Sequence, residues 1–206
     1  MSSPTEWMKN EYNDLVKKGF DWKPPVIGGP STGRTVIDGK ERIMLCANNY
    51  LSMSNHPKVK QAAIDAVKSH GAGSGSVRPI AGNMDIHNEL EETIARFKNR
   101  EAALYYQTGF AVNSGLIPQL AGKNDAIISD QLNHGSIIDG VRLSGVKREN
   151  RTIYAHNDMG ELEDRLKEAT NKCEKTLVIS DGVFSMDGDI APLDEITKLA
   201  REYGAM

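Results

Sequence analysis

The 206-residue chain is 39% apolar and 26% charged, and its formal net charge at pH 7 is −3. These values exclude a disordered tail and give no electrostatic reason to expect nucleic acid as a partner. No membrane span and no targeting segment is predicted, so we expect a cytoplasmic protein without a membrane partner. Cys46 and Cys173 lie far apart without neighbouring ligands, and no metal site is predicted.

The first 55 residues are predicted to form an N-terminal arm and a small hairpin. The arm begins with a helix over Glu6–Lys18. The hairpin strands are predicted at Arg34–Ile37 and Arg42–Cys46, on either side of Asp38-Gly39. This dipeptide tolerates the positive φ angles of a tight type I′ turn.

Residues 56–206 are predicted to form one larger domain in which short apolar strands alternate with amphipathic helices. The predicted helices are Pro57–Ser69, Ile86–Phe97, Ala111–Leu120, Ser136–Leu143, Glu161–Ala169 and Leu193–Tyr203. The predicted strands are Ala103–Tyr106, Ala126–Ser129, Thr152–Ala155 and Thr176–Ser180. This alternation indicates an α/β fold whose mostly parallel sheet is covered by helices on both faces. Because no strand follows the last helix, we expect an incomplete sheet and further parts of the domain beyond Met206.

Polar residues follow the predicted strands, at the edge where open parallel sheets bind their ligands. Thr108-Gly109-Phe110 lies between a strand and a helix. Unpaired backbone N–H groups and the helix dipole favour an anion such as phosphate at that position. An ordinary strand-to-helix turn also accounts for this tripeptide.

Two further strand ends carry residues that suit a ligand. His134 opens a helix, where the dipole disfavours an imidazolium, so a neutral ring used for stacking or hydrogen bonding is predicted. Asp181 and Ser185 share a loop after the last predicted strand and are close enough in sequence to face one ligand. Taken singly, such residues are more often surface or capping residues.

Two common motifs are excluded. The glycine-rich run Gly71–Ser76 follows a helix instead of a strand and lacks the Gly-Lys-Ser/Thr ending of a nucleotide phosphate loop. No G-x-S-x-G elbow is present to supply a hydrolase nucleophile. The glycine run still indicates a segment in which larger side chains would not fit, close to a ligand or to a partner chain.

Taken together, these segments resemble the α-oxoamine synthases, pyridoxal 5′-phosphate enzymes of the fold type I aminotransferase-like class that condense an amino acid with an acyl-CoA. The matching segments are Cys46–Leu51, Gly71–Gly82, His87–Glu91, Gln107–Asn113, Ser129–Leu143 and Asp181–Asp189, in the family's order over nearly the whole chain. Within the family, three motifs look most like glycine C-acetyltransferase: Cys-Ala-Asn-Asn-Tyr-Leu, Leu-Asn-His-Gly-Ser-Ile-Ile-Asp-Gly-Val-Arg-Leu and Asp-Gly-Val-Phe-Ser-Met-Asp-Gly. The alternative is 8-amino-7-oxononanoate synthase, which uses alanine and a longer acyl group.

The resemblance implies a role for each matching residue. Gly109 and Phe110 would bind the cofactor phosphate through backbone N–H groups. His134 would be the catalytic residue that stacks on the pyridine ring beside the substrate. Ser185 would bind near the phenolic oxygen of the ring, and Asn48 would bind the carboxylate of the amino acid. With glycine and acetyl-CoA as substrates, the products would be 2-amino-3-ketobutyrate and CoA, made by a homodimer.

The family's Schiff-base Lys, the Asp paired with the pyridine nitrogen and the substrate-binding Arg are all expected beyond Met206. Lys198 lies in an amphipathic helix and lacks the loop context of a Schiff base. We therefore expect this chain alone to be inactive. Two alternatives remain: a non-catalytic module that binds a phosphate ligand or a partner chain, and a doubly wound nucleotide-binding domain, which the missing phosphate fingerprint disfavours.

Overall fold

In the computed structural model, which describes residues 3–206, the chain divides into two compact units, Met1–Asn88 and Glu89–Met206. The domain boundary predicted after residue 55 stays a prediction, since these units are defined by compactness and not by independent folding. Within residues 3–206, every helix is too short or too polar to cross a membrane.

The described residues form seven α-helices and five β-strands. The helices are α1 Glu6–Lys17, α2 Pro57–His70, α3 Asp85–Phe97, α4 Gly109–Leu120, α5 Gly135–Leu143, α6 Met159–Thr170 and α7 Leu193–Glu202. The strands are β1 Arg34–Ile37, β2 Lys40–Ile43, β3 Ala126–Asp130, β4 Arg151–Tyr154 and β5 Thr176–Ile179. Short helical turns add Met53–Asn55, Arg78–Gly82 and Arg148–Asn150.

The unit Met1–Asn88 contains the antiparallel hairpin β1–β2. Ile37 pairs with Lys40, so the loop is Asp38-Gly39, with φ angles of 49° and 75°. These values confirm the predicted type I′ turn. The bounds predicted for the second strand, Arg42–Cys46, are wrong, because a two-residue turn places Lys40 directly opposite Ile37 and pairing ends at Ile43.

The unit Glu89–Met206 is built on a three-stranded parallel sheet in the order β4-β3-β5. The central strand β3 is buried along its whole length. Because successive side chains of a strand point to opposite faces, Ile128 packs in a cluster with Leu162 of α6 and Ile196 of α7. Ile127 packs in a second cluster with residues of α4 and α5. The prediction of helices on both faces is thereby confirmed, and the two isoleucines are 0% exposed, each contributing about 1.5–3 kcal/mol by burial.

One predicted strand does not form. Among the described residues, Ala103–Tyr106 has no regular secondary structure and belongs to no sheet. The backbone N–H of Tyr105 donates to the Glu91 carboxylate of α3 at 2.9 Å, instead of to a neighbouring strand. Four apolar residues are a typical strand sequence, but a strand also needs a partner, and here a side chain satisfies the backbone donor.

Met206, the last residue, is hydrogen-bonded to the side of β5 that faces away from β3. The Met206 N–H donates to the Thr176 carbonyl at 2.9 Å, and the Met206 carbonyl accepts from the Val178 N–H at 2.8 Å. Two bonds that flank a single residue, here Leu177, are the pattern of a parallel ladder. Met206 therefore occupies the position of a fourth parallel strand, as the alternation after α7 predicts.

Candidate functional site

The segments that follow β3 and β5 are joined by one buried amide. The Asn133 Nδ2 donates to the Ser129 hydroxyl at 2.9 Å and to the Ile179 carbonyl at 2.8 Å. Its Oδ1 accepts from the Asp181 N–H at 2.7 Å. Asn133 is 5% exposed, so its amide depends on these bonds within the protein instead of on water. Asn133 fixes the two strand ends to each other, a role that its position beside His134 in the sequence did not indicate.

His134 is the N-cap of α5, and its hydrogen bonds define its protonation. Its Nδ1 accepts from the Ser136 backbone N–H at 3.1 Å and lies 2.7 Å from the Ser136 hydroxyl. An acceptor Nδ1 carries no proton, so the ring is neutral with its proton on Nε2. The His134 backbone N–H donates to the Asp181 carboxylate at 2.7 Å. The residue is exposed, and its role in stacking on a ligand stays a prediction.

Helices α4 and α5 pack closely and run in the same direction. The Asn113 amide of α4 donates to the Ser136 hydroxyl of α5 at 2.9 Å. One turn later, a Cβ on Gly140 would lie 2.4 Å from the Asn113 carbonyl and 2.8 Å from the Ile117 side chain. Both helices begin at the same end of this contact. The first turn of α4 and His134 therefore lie at the same end of the sheet, the one at which the parallel strands finish.

The first turn of α4 has the features of an anion site. The Thr108 hydroxyl accepts from the Ala111 N–H at 3.0 Å, and the Thr108 carbonyl accepts from the Val112 N–H. The Gly109 and Phe110 N–H groups have no acceptor within residues 3–206. A Cβ on Gly109 would meet no atom within 4 Å, so the surroundings of its Cα are open. Two free N–H donors at the N-terminus of a helix fit a phosphate group.

Ser185 lies on the loop Gly182–Ala191, which follows β5. The Phe184 N–H donates to the Asp189 carbonyl at 2.9 Å, and the Phe184 side chain is buried, so the loop folds back on itself. Ser185 is exposed just after this anchor. No hydrogen bond joins Ser185 to His134 among the described residues, and its role as a cofactor ligand stays a prediction.

A charged cluster that received no predicted role lies next to these residues. Asp130 is a buried residue at the end of β3, and its carboxylate is 2.9 Å from His156 Nδ1. His156 Nε2 is 2.6 Å from the Asp189 carboxylate. The hydrogen bonds of Asp130 and then of Asp189 raise the pKa of His156, and His156 lowers the pKa of Asp189. Burial, followed by the charge of Asp130, raises the pKa of Tyr154 to about 12. The only sequence signal for this cluster was the presence of polar residues after buried strands.

Asn48 lies in the unit Met1–Asn88, after β2, and is exposed. Its neighbour Asn49 donates to the Ser31 carbonyl at 2.8 Å and accepts from the Ser54 N–H at 3.1 Å. These two bonds fix the conformation of the segment, and the Asn48 side chain is left exposed to solvent. The role of Asn48 in binding a substrate carboxylate stays a prediction.

A family model described as aminotransferase class I and II matches residues 40–206 of this chain. The chain belongs to this family. It is 51% identical over 201 residues to the 8-amino-7-oxononanoate synthases of Alkaliphilus metalliredigens and Thermoanaerobacter pseudethanolicus, covering 98% of this chain and 50% of each relative. The chain therefore spans about half the length of the relatives it matches.

Solved structures show the same fold. The serine palmitoyltransferase of Sphingomonas wittichii superposes with a TM-score of 0.87 at 32% identity, covering 99% of this chain and 51% of that one. A serine palmitoyltransferase from S. paucimobilis with a bound PLP–myriocin aldimine gives the same TM-score and identity. The predicted fold type I architecture is confirmed, and pyridoxal 5′-phosphate, the predicted cofactor, is the cofactor of this family.

Proposed function

We propose that this chain is the N-terminal half of a pyridoxal 5′-phosphate-dependent α-oxoamine synthase, an enzyme that condenses an amino acid with an acyl-CoA and releases CoA. The observation that carries the proposal is the shared edge of α4 and α5. There, two free N–H donors at Gly109 and Phe110 lie at the same end of a helix pair as the neutral ring of His134. A phosphorylated aromatic ligand needs these two features side by side.

The substrates that we favour are alanine and pimeloyl-CoA, those of the 8-amino-7-oxononanoate synthases. Relatives of that name are 51% identical over nearly the whole of this chain, and they support this alternative better than the glycine C-acetyltransferase to which the three motifs point. Glycine with acetyl-CoA remains the second candidate, on the strength of those motifs. Both pairs belong to the same chemical class, an α-amino acid and an acyl thioester.

Each proposed residue has a task set by its chemistry. The Gly109 and Phe110 N–H groups bind the phosphate, helped by the dipole of α4. The uncharged ring of His134 would stack on the pyridine ring. The Ser185 hydroxyl would donate to the phenolic oxygen, and Asn48 would donate to the carboxylate of the amino acid. The cofactor, when bound, supplies the electron sink that stabilises a carbanion at the α-carbon of the substrate.

The proposal is tested by following CoA thiol release with a thiol reagent, with pyridoxal 5′-phosphate present. One reaction contains alanine and pimeloyl-CoA, and the other contains glycine and acetyl-CoA. We expect no turnover from the 206-residue chain, and turnover of the alanine pair by a polypeptide that continues past residue 206 with the family's Lys. Preference for the glycine pair would select the second candidate.

Two results would contradict the proposal. Turnover by the 206-residue chain alone would show that no later Lys is needed. A longer polypeptide that binds the cofactor but releases CoA from neither pair would exclude the acyl-CoA chemistry and favour a non-catalytic module.

A further inference from the structure

His156 connects the central strand to the loop that carries Ser185. Its Nδ1 is 2.9 Å from the carboxylate of Asp130 on β3, whose side chain is 0% exposed. Its Nε2 is 2.6 Å from the carboxylate of Asp189 on the loop Gly182–Ala191. The imidazole therefore bridges the two carboxylates, and the neighbouring Asn157 also bonds to both of them.

The carboxylates on both sides of the ring favour its doubly protonated form, and the Asn157 amide, which lies 3.1 Å from Nε2, has Asp189 as its acceptor. An ionised carboxylate only accepts hydrogen bonds, so each ring nitrogen of His156 that faces one must donate. The remaining oxygen of Asp130 accepts from the Asn157 N–H at 3.1 Å, and Asp189 accepts a second bond from the Asn157 amide at 3.0 Å. One positive charge between two carboxylates is a charge-assisted pair of hydrogen bonds.

The same ring holds the loop at a second point. The Phe184 ring packs edge-on against His156, with the ring centroids 4.3 Å apart and the planes at 83°. Phe184 is 1% exposed and its N–H donates to the Asp189 carbonyl. Ser185 follows Phe184 directly, so both attachments of the loop to His156 lie within four residues of the Ser185 hydroxyl.

We propose that His156 is a positioning residue, an imidazolium clamp that bridges Asp130 and Asp189, holds the loop Gly182–Ala191 against the sheet edge and thereby places Ser185 for the cofactor. The placement of Ser185 for a cofactor rests on the proposed function. The clamp itself rests only on the contacts of this chain.

The clamp has a defined pH window. The charged groups that face His156 are Asp130 on β3 and Asp189 on the loop, and the Tyr154 hydroxyl of β4 is neutral beside Asp130. Because the folded-state pKa of His156 is raised, its contribution is complete below the unfolded pKa of about 6.5 and is lost as pH rises through the raised value. Because the pKa of Asp189 is lowered, its contribution is lost as pH falls through that lowered value.

The clamp is tested by NMR on the 206-residue chain without cofactor, with two readouts. The first is the titration of the His156 ring, which we expect above the ordinary histidine value. The second is the hydrogen-exchange protection of the Phe184, Gly188 and Ala191 amides, which bond within the loop. We expect this protection to fall about tenfold or more as pH rises through the His156 pKa.

Two variants make the test specific. His156→Gln removes the charge and is expected to abolish the pH dependence and leave the loop amides weakly protected at every pH. His70→Gln is the matched control, since it removes another histidine–aspartate pair, His70–Asp85 at 2.9 Å, in the unit Met1–Asn88. It is expected to leave the loop amides unchanged. If His156→Gln does not fold, the wild-type titration and loop protection decide the question.

The proposal is overturned if His156 titrates at or below the ordinary value, or if loop protection does not follow its titration. Binding of pyridoxamine 5′-phosphate separates the two claims. A working clamp with equal binding by wild type and His156→Gln would refute the placement of Ser185. A working clamp in a chain that binds none of this ligand would refute the proposed function and leave the clamp standing.

Discussion

Replacing Gly140 by alanine tests the close packing of α4 and α5, on which the shared edge depends. The new Cβ would lie 2.4 Å from the Asn113 carbonyl oxygen and 2.8 Å from the Ile117 side chain. Ordinary contacts begin at 3.4 Å, so the backbone of α4 must move away by about 1 Å. A shift of that size also breaks the 2.9 Å bond from Asn113 to Ser136.

The expected change in the free energy of unfolding combines two costs and one gain. Overpacking of this kind costs about 1–3 kcal/mol, and the lost hydrogen bond adds about 1 kcal/mol. The higher helix propensity of alanine returns about 1 kcal/mol. We therefore expect Gly140→Ala to lower the free energy of unfolding by about 1–3 kcal/mol, measured by urea denaturation with an unchanged m-value.

Gly115→Ala is the matched control for this prediction. Like Gly140 of α5, Gly115 of α4 lies in the interior of a helix, but a Cβ there would meet only the Tyr106 ring at 3.7 Å. Without a clash, alanine is expected to stabilise the chain by up to about 1 kcal/mol through helix propensity. Equal stabilities of the two variants would refute the packing argument.

Three further outcomes are expected. Asn133→Ala removes the three hydrogen bonds of a buried side chain and should cost about 2–4 kcal/mol in urea unfolding. Asn171→Ala removes one exposed bond and should change stability by less than about 0.5 kcal/mol; equal effects would contradict the role of Asn133. Asp158→Ala removes the side-chain cap of α6 and should cost about 1 kcal/mol by the same assay; no loss would contradict the cap. Gly109→Asp places a negative charge where the phosphate is proposed to bind. It should weaken pyridoxamine 5′-phosphate binding, measured by calorimetry, about tenfold or more without lowering the thermal midpoint of unfolding. Unchanged affinity would place the phosphate elsewhere.

Local patterns predicted most of the helices and strands, because the spacing of apolar residues that is typical of each element can be seen in a short stretch of sequence. The alternation of short apolar strands with amphipathic helices indicated the parallel sheet, and Asp38-Gly39 indicated the hairpin turn. Ala103–Tyr106 was predicted wrongly because a strand also needs a partner along its edge. Whether such a partner exists depends on the order of strands in the sheet, which no local pattern contains.

The candidate site was predictable one residue at a time but not as an arrangement. Gly109 and His134 each follow a predicted strand, but the packing of their helices depends on the close approach of α4 and α5 at Gly140. The bridge from Asp130 through His156 to Asp189 joins residues from three separate segments. It exists because β3 lies between β4 and β5, so that the ends of β3 and β4 are neighbours and the loop after β5 reaches them.

The central claim is that the first turn of α4 and His134 together hold a phosphorylated pyridine. Its most direct test is an amide chemical-shift map of the chain during titration with pyridoxamine 5′-phosphate, which has no aldehyde to react with surface lysines. The account predicts that the largest shifts fall on the Gly109, Phe110 and His134 amides. Shifts concentrated instead at the opposite edge of the sheet, around the cavity lined by Thr152 and Lys172, would contradict it.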